Sequence, residues 1–208
     1  MNDYARQERR LLADLLLREG PDAPTLCTGW TTRDLAAHLV VRERRPDASA
    51  GMIIPALHSY GERVRLAKAA MPYPELIAEL RQPPVWSPIS SPLTDGVINT
   101  MEFFIHHEDV RRVTPDWEPR PLPAGHQAAL WRSGKLTSRM ALRRAGVVAE
   151  VVPDGFPPVR TGPAPAVRIS GDVGELAIFF SGRQRAARVE IEGDPATAER
   201  LRGAKLGF

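Results

Sequence analysis

Cys27 is the single cysteine among 208 residues, which excludes an internal disulfide and any zinc site built from several thiolates. A chain without disulfides is expected in a reducing, cytoplasmic compartment. Long apolar runs are also missing, since nothing approaches the ~20 uninterrupted apolar residues of a membrane-spanning helix. The stretch MNDYARQERR at the start is charged and helix-prone with no apolar signal core, so export is not expected. Lysine is scarce: Lys68, Lys135 and Lys205 stand against a total of 28 Lys and Arg. With abundant alanine and proline, that bias fits a GC-rich coding genome and carries no chemistry. No basic stripe interleaves with aromatics, so nucleic acid is not an expected partner. No internal repeat is visible.

What is present suits a soluble globular protein of one large domain or two small ones, at 43% hydrophobic and 25% charged residues. The net charge is +3. The arginine clusters (Arg42, Arg44, Arg45; Arg111, Arg112; Arg143, Arg144) mostly have acidic neighbours and read as solvated helix faces.

Apolar spacing in the first half predicts helices separated by proline-rich punctuation. The first spans roughly 2–18 and ends at Gly20-Pro21. The second follows Thr31 and Asp34, which have capping-box spacing with the shorter Asp in place of Glu, and stops at Pro46. A third region covers roughly 56–81 and breaks near 71–74. The four prolines of QPPVWSPISSP (82–92) make that stretch a loop, and a fourth helix follows over about 95–113. Residues 114–125, again with four prolines, read as an interdomain linker. Beyond them come a helix over roughly 124–144, three β-rich runs (VVAEVV, PAVRIS, ARVEIEG) and two interleaved helices, the second with Asp194-Pro195 as N-cap and first-turn proline. The expected fold class is α+β, with a helical domain over 1–114 and a small α+β domain over 120–208.

The chemistry concentrates in EFFIHHEDV (102–110). Residues four apart on a helix share a face, so Glu102 and His106 project together. His107 is rotated by about 100° from His106 and is read as a bystander. Asp109, three residues after His106, is placed to orient its imidazole. Taken alone, Glu-x-x-x-His is also the pattern of a surface ion pair or a core histidine. His38, in the apolar stretch LAAHLVV, is a second inward histidine on another helix. Bundle metal sites are built from such facing side chains. Two imidazoles and one carboxylate leave coordination positions open, the pattern of a reactive site.

WTTRDLAAHL (30–39) together with EFFIHHEDV resembles the mycothiol-dependent maleylpyruvate isomerase family, within the wider DinB-like metal-binding four-helix bundles. The GDVGELAIFFSGRQ stretch and the terminal VEIEGDP segment resemble that family's small C-terminal domain. The resemblance implies an N-terminal DinB-like four-helix bundle with a small α+β domain closing over one end. It implies that His38, Glu102 and His106 ligate a divalent metal, Zn²⁺ being the expected ion, and that a low-molecular-weight thiol such as mycothiol serves as co-substrate. Arg183 matches a family arginine suited to an anionic substrate, though a surface arginine at a helix C-terminus is an equal reading. Asp34, one turn before His38, is assigned to the helix cap and not to the metal. Cys27 is read as a semi-buried packing residue, His58 and His126 as exposed, and the tryptophans as packing anchors.

The function expected from these readings is metal- and thiol-dependent transfer or isomerisation of a small acidic molecule. A zinc-hydroxide hydrolase, a non-catalytic metal-dependent binding or sensing module, and a scaffold with ordinary core histidines stand as alternatives. A small-molecule substrate, no nucleic acid, no membrane, and a monomer or homodimer complete the expectation.

Overall fold

The computed structural model describes residues 3–49, 51, 54–84, 86, 87, 89 and 95–207, with every side chain in the last range except those of residues 95 and 97. The chain divides into two compact units, Asp3–Trp117 and Glu118–Phe208. It is mostly helical, with a four-stranded sheet in the second unit, and so of the α+β class. None of the described helices is long and apolar enough to cross a membrane.

Helix α1 (Tyr4–Glu19) starts where the Asp3 side chain accepts from the Arg6 amide, satisfying one of the donors that a helix start leaves open. Its buried positions Ala5, Arg9, Leu12 and Leu16 recur at helical spacing and form one inward stripe. Helix α2 (Thr32–Arg44) is capped by Thr31 and Asp34 in a reciprocal capping box. Leu35, Ala36, Leu39 and Val40 are all at most 1% exposed and form a broad apolar stripe that α2 turns to the core. Pro46 opens the short α3 (Pro46–Ser49) and ends the run of α2.

A 3₁₀ turn (Pro55–Leu57) leads into α4 (His58–Ala69), and Pro72 separates it from α5 (Tyr73–Arg81). Helix α6 (Asp95–Arg111) carries the EFFIHHEDV motif. Helix α1 packs on α5 and α6, and α2 on α4 and α5, which makes a helical bundle. Leu12, Leu16, Leu35, Leu76, Leu80 and Phe103 are fully buried in its core, each such side chain contributing ~1.5–3 kcal/mol.

One buried ion pair crosses that core. The Arg9 guanidinium donates to both Glu43 carboxylate oxygens and to Leu80 O. Its carbon lies 4.2 Å from the Phe103 ring centroid. Both residues are 2% exposed, so the pair holds α1, α2 and α5 in one register.

The second unit opens with α7 (Ala124–Arg144). Its sheet has the order β2-β1-β3-β4, from β1 (Ala149–Pro153), β2 (Val159–Arg160), β3 (Val167–Gly171) and β4 (Glu190–Gly193). Strands β1 and β3 run parallel and the outer pairs antiparallel. The apolar α8 (Val173–Phe180) packs on α7, and α9 (Pro195–Gly203) starts at the Asp194 cap. Strand β2 was not expected, because two residues are too few to show alternation.

Two expectations are overturned. His126 is 2% exposed, because it shares a face of α7 with the buried Ala129 and Leu130. Trp86 is 59% exposed and anchors no packing. His58 is exposed as expected. The proline-rich loop at 82–92 lies partly outside the described residues.

Candidate metal centre

Three side chains from two helices converge on one point in the bundle. His38 projects from the middle of α2, and Glu102 and His106 project from one face of α6. The Nε2 atoms of His38 and of His106 each lie 3.4 Å from the same Glu102 oxygen, Oε1. One ligand atom from each residue falls within 4.8 Å of the others. The two imidazole rings stand 5.3 Å apart at 71°, so their planes do not stack and both nitrogens are free to point at a common centre.

At 3.4 Å, these contacts lie beyond the ordinary range of a nitrogen–oxygen hydrogen bond. They suit another arrangement better. Ligands bound tetrahedrally to Zn²⁺ at ~2.0–2.2 Å sit ~3.3–3.6 Å from one another. Nitrogen and carboxylate oxygen are also the donor types that Zn²⁺ and related divalent ions take. The donor set therefore fits a divalent ion in chemistry, and its two imidazole–carboxylate separations match that spacing.

Around the three donors lies a second layer. Asp109, fully buried, accepts from His106 Nδ1 at 2.8 Å, which fixes the ring and leaves Nε2 facing Glu102. Arg42, one turn after His38 on α2, brings Nε to 3.2 Å from Glu102 Oε1 and donates from Nη1 to Asn99 Oδ1 at 2.6 Å. The Trp30 ring lies against His38, with centroids 5.1 Å apart. Arg65 sits 4.9 Å over the same indole and pairs with Asp34 at 2.6 Å.

The electrostatics follow from this layer. Burial pushes His38 below the ordinary imidazole value, and the contact with Glu102 offsets this only in part. Burial acts the same way on His106, but its contacts with Asp109, Cys27 and Glu102 outweigh it and hold that ring well above the ordinary value. Burial would raise the Glu102 carboxyl, yet His106, His38 and Arg42 keep it well below the usual carboxylate range.

The structure thus brings His38, Glu102, His106 and Asp109 together. His107 turns away, its Nδ1 2.9 Å from Glu8 Oε2 on α1. Asp34 is committed to the α2 cap and to Arg65. Arg183 belongs to the second unit, half-buried just past α8, with Nη1 donating to Ser181 O at 2.7 Å.

Cys27 corrects the sequence reading. It packs against the core as expected, but its thiol also donates to Asp109 Oδ2 at 3.2 Å. Cys27, His106 and Asp109 accordingly form a second group of close donor atoms. A turn brings the loop there: Gly29 takes φ +79, a conformation that suits glycine, while Leu26 N donates to Asp109 O. With Cys27 and Asp109 separated by 82 positions in the chain, no local spacing announces the contact. Arg42 was missed for the opposite reason, since it sat in an arginine cluster that reads as solvated surface.

No curated protein and no solved structure matches the chain. Residues 3–83 match the family model described as the mycothiol maleylpyruvate isomerase N-terminal domain. His38 and its helix lie inside that match, whereas Glu102 and His106 lie after it. Over residues 3–83 the chain is similar to this DinB-like family, and the resemblance drawn from its helical motifs holds on that stretch.

Proposed function

We propose that the protein is a divalent-metal-dependent enzyme that uses a low-molecular-weight thiol to transfer to, or isomerise, a small acidic molecule. The observation that carries the metal half of this reading is the pair of imidazole nitrogens 3.4 Å from one carboxylate oxygen. The family match, whose description names mycothiol, supports a thiol as co-substrate.

In this reading His38, Glu102 and His106 would hold the ion, which would supply Lewis-acid chemistry and lower the pKa of a coordinating thiol. The chain's own residues do the rest. Asp109 accepts a hydrogen bond from His106 Nδ1–H, sets its tautomer and keeps Nε2 turned to Glu102. Glu102 supplies one negative charge, and Arg42 limits its movement through the contact at Oε1. Trp30 covers one side of His38 and limits water there. Three protein ligands leave room for an exogenous one, as reactive sites require. We include Arg183 as an anion-holding side chain of the second unit, its guanidinium steadied by Ser181 O.

The test is metal analysis followed by turnover. Protein purified without chelators is expected to hold one divalent ion per chain and, with a thiol present, to form an adduct with or isomerise members of a panel of electrophilic α,β-unsaturated acids. Both properties are expected to vanish in His38→Ala. If metal and thiol bind but no adduct or isomer forms across the panel, the enzyme reading fails and a binding module replaces it.

A further inference from the structure

A concave patch apart from the candidate metal ligands lies on the outer face of α4. Tyr60, Arg63, Val64, Ala67 and Lys68 recur at i, i+3, i+4, i+7 and i+8 on that helix, with Met71 continuing the row just beyond it. They therefore form one stripe. The opposite face of α4 carries Arg65, which is spent on Asp34 and Glu62. The stripe and the C-terminal end of α2, with Arg44 and Arg45, line a groove of about 550 Å³, a size typical of small-molecule sites.

The lining has two characters. Val64, Ala67 and Met71 give it an apolar floor, while Arg44, Arg45, Arg63 and Lys68 put four cations around it, and no acid lines it. Neighbouring carboxylates neutralise only part of this charge. Glu79 takes Lys68 at 3.1 Å and Arg44 at 3.5 Å. Asp47 takes Arg45 at 2.8 Å and the Tyr60 hydroxyl at 2.5 Å. Four cations face two carboxylates, leaving two positive charges in excess. Arg63 has no ion pair or side-chain hydrogen bond among the described residues and is exposed. A merely solvated face would not set its cations around an apolar concavity.

We propose that this groove binds a small amphiphilic organic anion: an apolar or aromatic body lying on Val64, Ala67 and Met71, with a carboxylate, sulfonate or phosphate head at Arg63 and Lys68. Charge complementarity chooses the head and the apolar floor chooses the body, and neither depends on the metal reading.

The probe is anilinonaphthalene sulfonate, an aromatic sulfonate whose fluorescence rises in apolar surroundings, titrated into the full chain. Saturable binding is expected at one site per chain, with amide shifts in a ¹⁵N spectrum centred on residues 60–71. Arg63→Glu is expected to weaken it roughly tenfold, since attraction becomes repulsion at close range, and Arg63→Gln by an intermediate factor. Higher salt is expected to weaken it further. His38→Ala is expected to bind as wild type does. Arg63 takes part in no packing contact described above, so both variants should retain the wild-type melting transition. Equal affinity in Arg63→Glu, shifts centred away from α4, or loss of binding in His38→Ala would each overturn the proposal.

Discussion

Replacing Asp109 by Asn keeps the shape of a fully buried side chain and removes its charge. In the wild-type protein its carboxylate accepts from His106 Nδ1 at 2.8 Å and from the Cys27 thiol at 3.2 Å. An amide can present the wrong edge to either donor, so the imidazole loses the partner that fixes its tautomer and raises its basicity. Removing such a partner from a metal-bound histidine typically costs ~10–100-fold in metal affinity, which is about 1.4–2.7 kcal/mol. Zn²⁺ affinity measured against a chromophoric chelator reads this directly. The titration belongs at about pH 8.5, where protons compete least for the imidazoles. Cys27→Ser should then change affinity far less, because the thiol touches Asp109 and a hydroxyl can still donate to it. Unchanged Zn²⁺ affinity in a folded Asp109→Asn protein would refute the orienting role. A larger loss in Cys27→Ser than in Asp109→Asn would show that the thiol, and not the carboxylate, acts on the ion.

Three further outcomes follow. His106→Ala is expected to lose stoichiometric metal, whereas His107→Ala should keep it and lose ~1–3 kcal/mol in urea unfolding, because buried Glu8 is left without its imidazole. Glu43→Leu should cost ~3–5 kcal/mol in the same assay by stranding the buried Arg9 charge, and the double variant Arg9→Met, Glu43→Leu should recover most of it. Asp34 gives an acid-side dependence. Burial opposes its charge, but Arg65 and Thr31 outweigh burial and depress its pKa below 3.8. Its stabilising contribution is therefore full above the unfolded value and is lost as pH falls through the lower folded value. Melting temperature should fall more steeply below about pH 4 in wild type than in Asp34→Asn.

Local signals carried much of this structure. Helical apolar spacing located α1, α2, α4 and α6. Thr31 and Asp34 marked the start of α2, and Pro46 and Pro72 marked breaks, because capping and proline sterics act within a few residues. The i, i+4 relation of Glu102 and His106 is equally local, and it correctly separated His107 from the pair. What escaped depended on chain crossings. Cys27 meets Asp109 only after the loop folds back through Gly29, and Arg42 of α2 reaches Glu102 of α6 only once the bundle has assembled. The α4 stripe was hidden differently. Arg63 and Lys68 look like ordinary solvated charges until α2 adds two more arginines beside an apolar floor. His126 misled because a histidine in the first turn of a helix is commonly exposed, and the side it faces is set by packing on α7.

The central claim is that His38, Glu102 and His106 hold the ion while Cys27, although near, does not. X-ray absorption at the zinc edge, on protein loaded with one equivalent of Zn²⁺ and free of added thiol, tests it most directly. Only nitrogen and oxygen neighbours at ~2.0–2.2 Å are expected, including the outer-shell scattering of two imidazoles. A sulfur neighbour at ~2.3 Å, or a single imidazole, would contradict it.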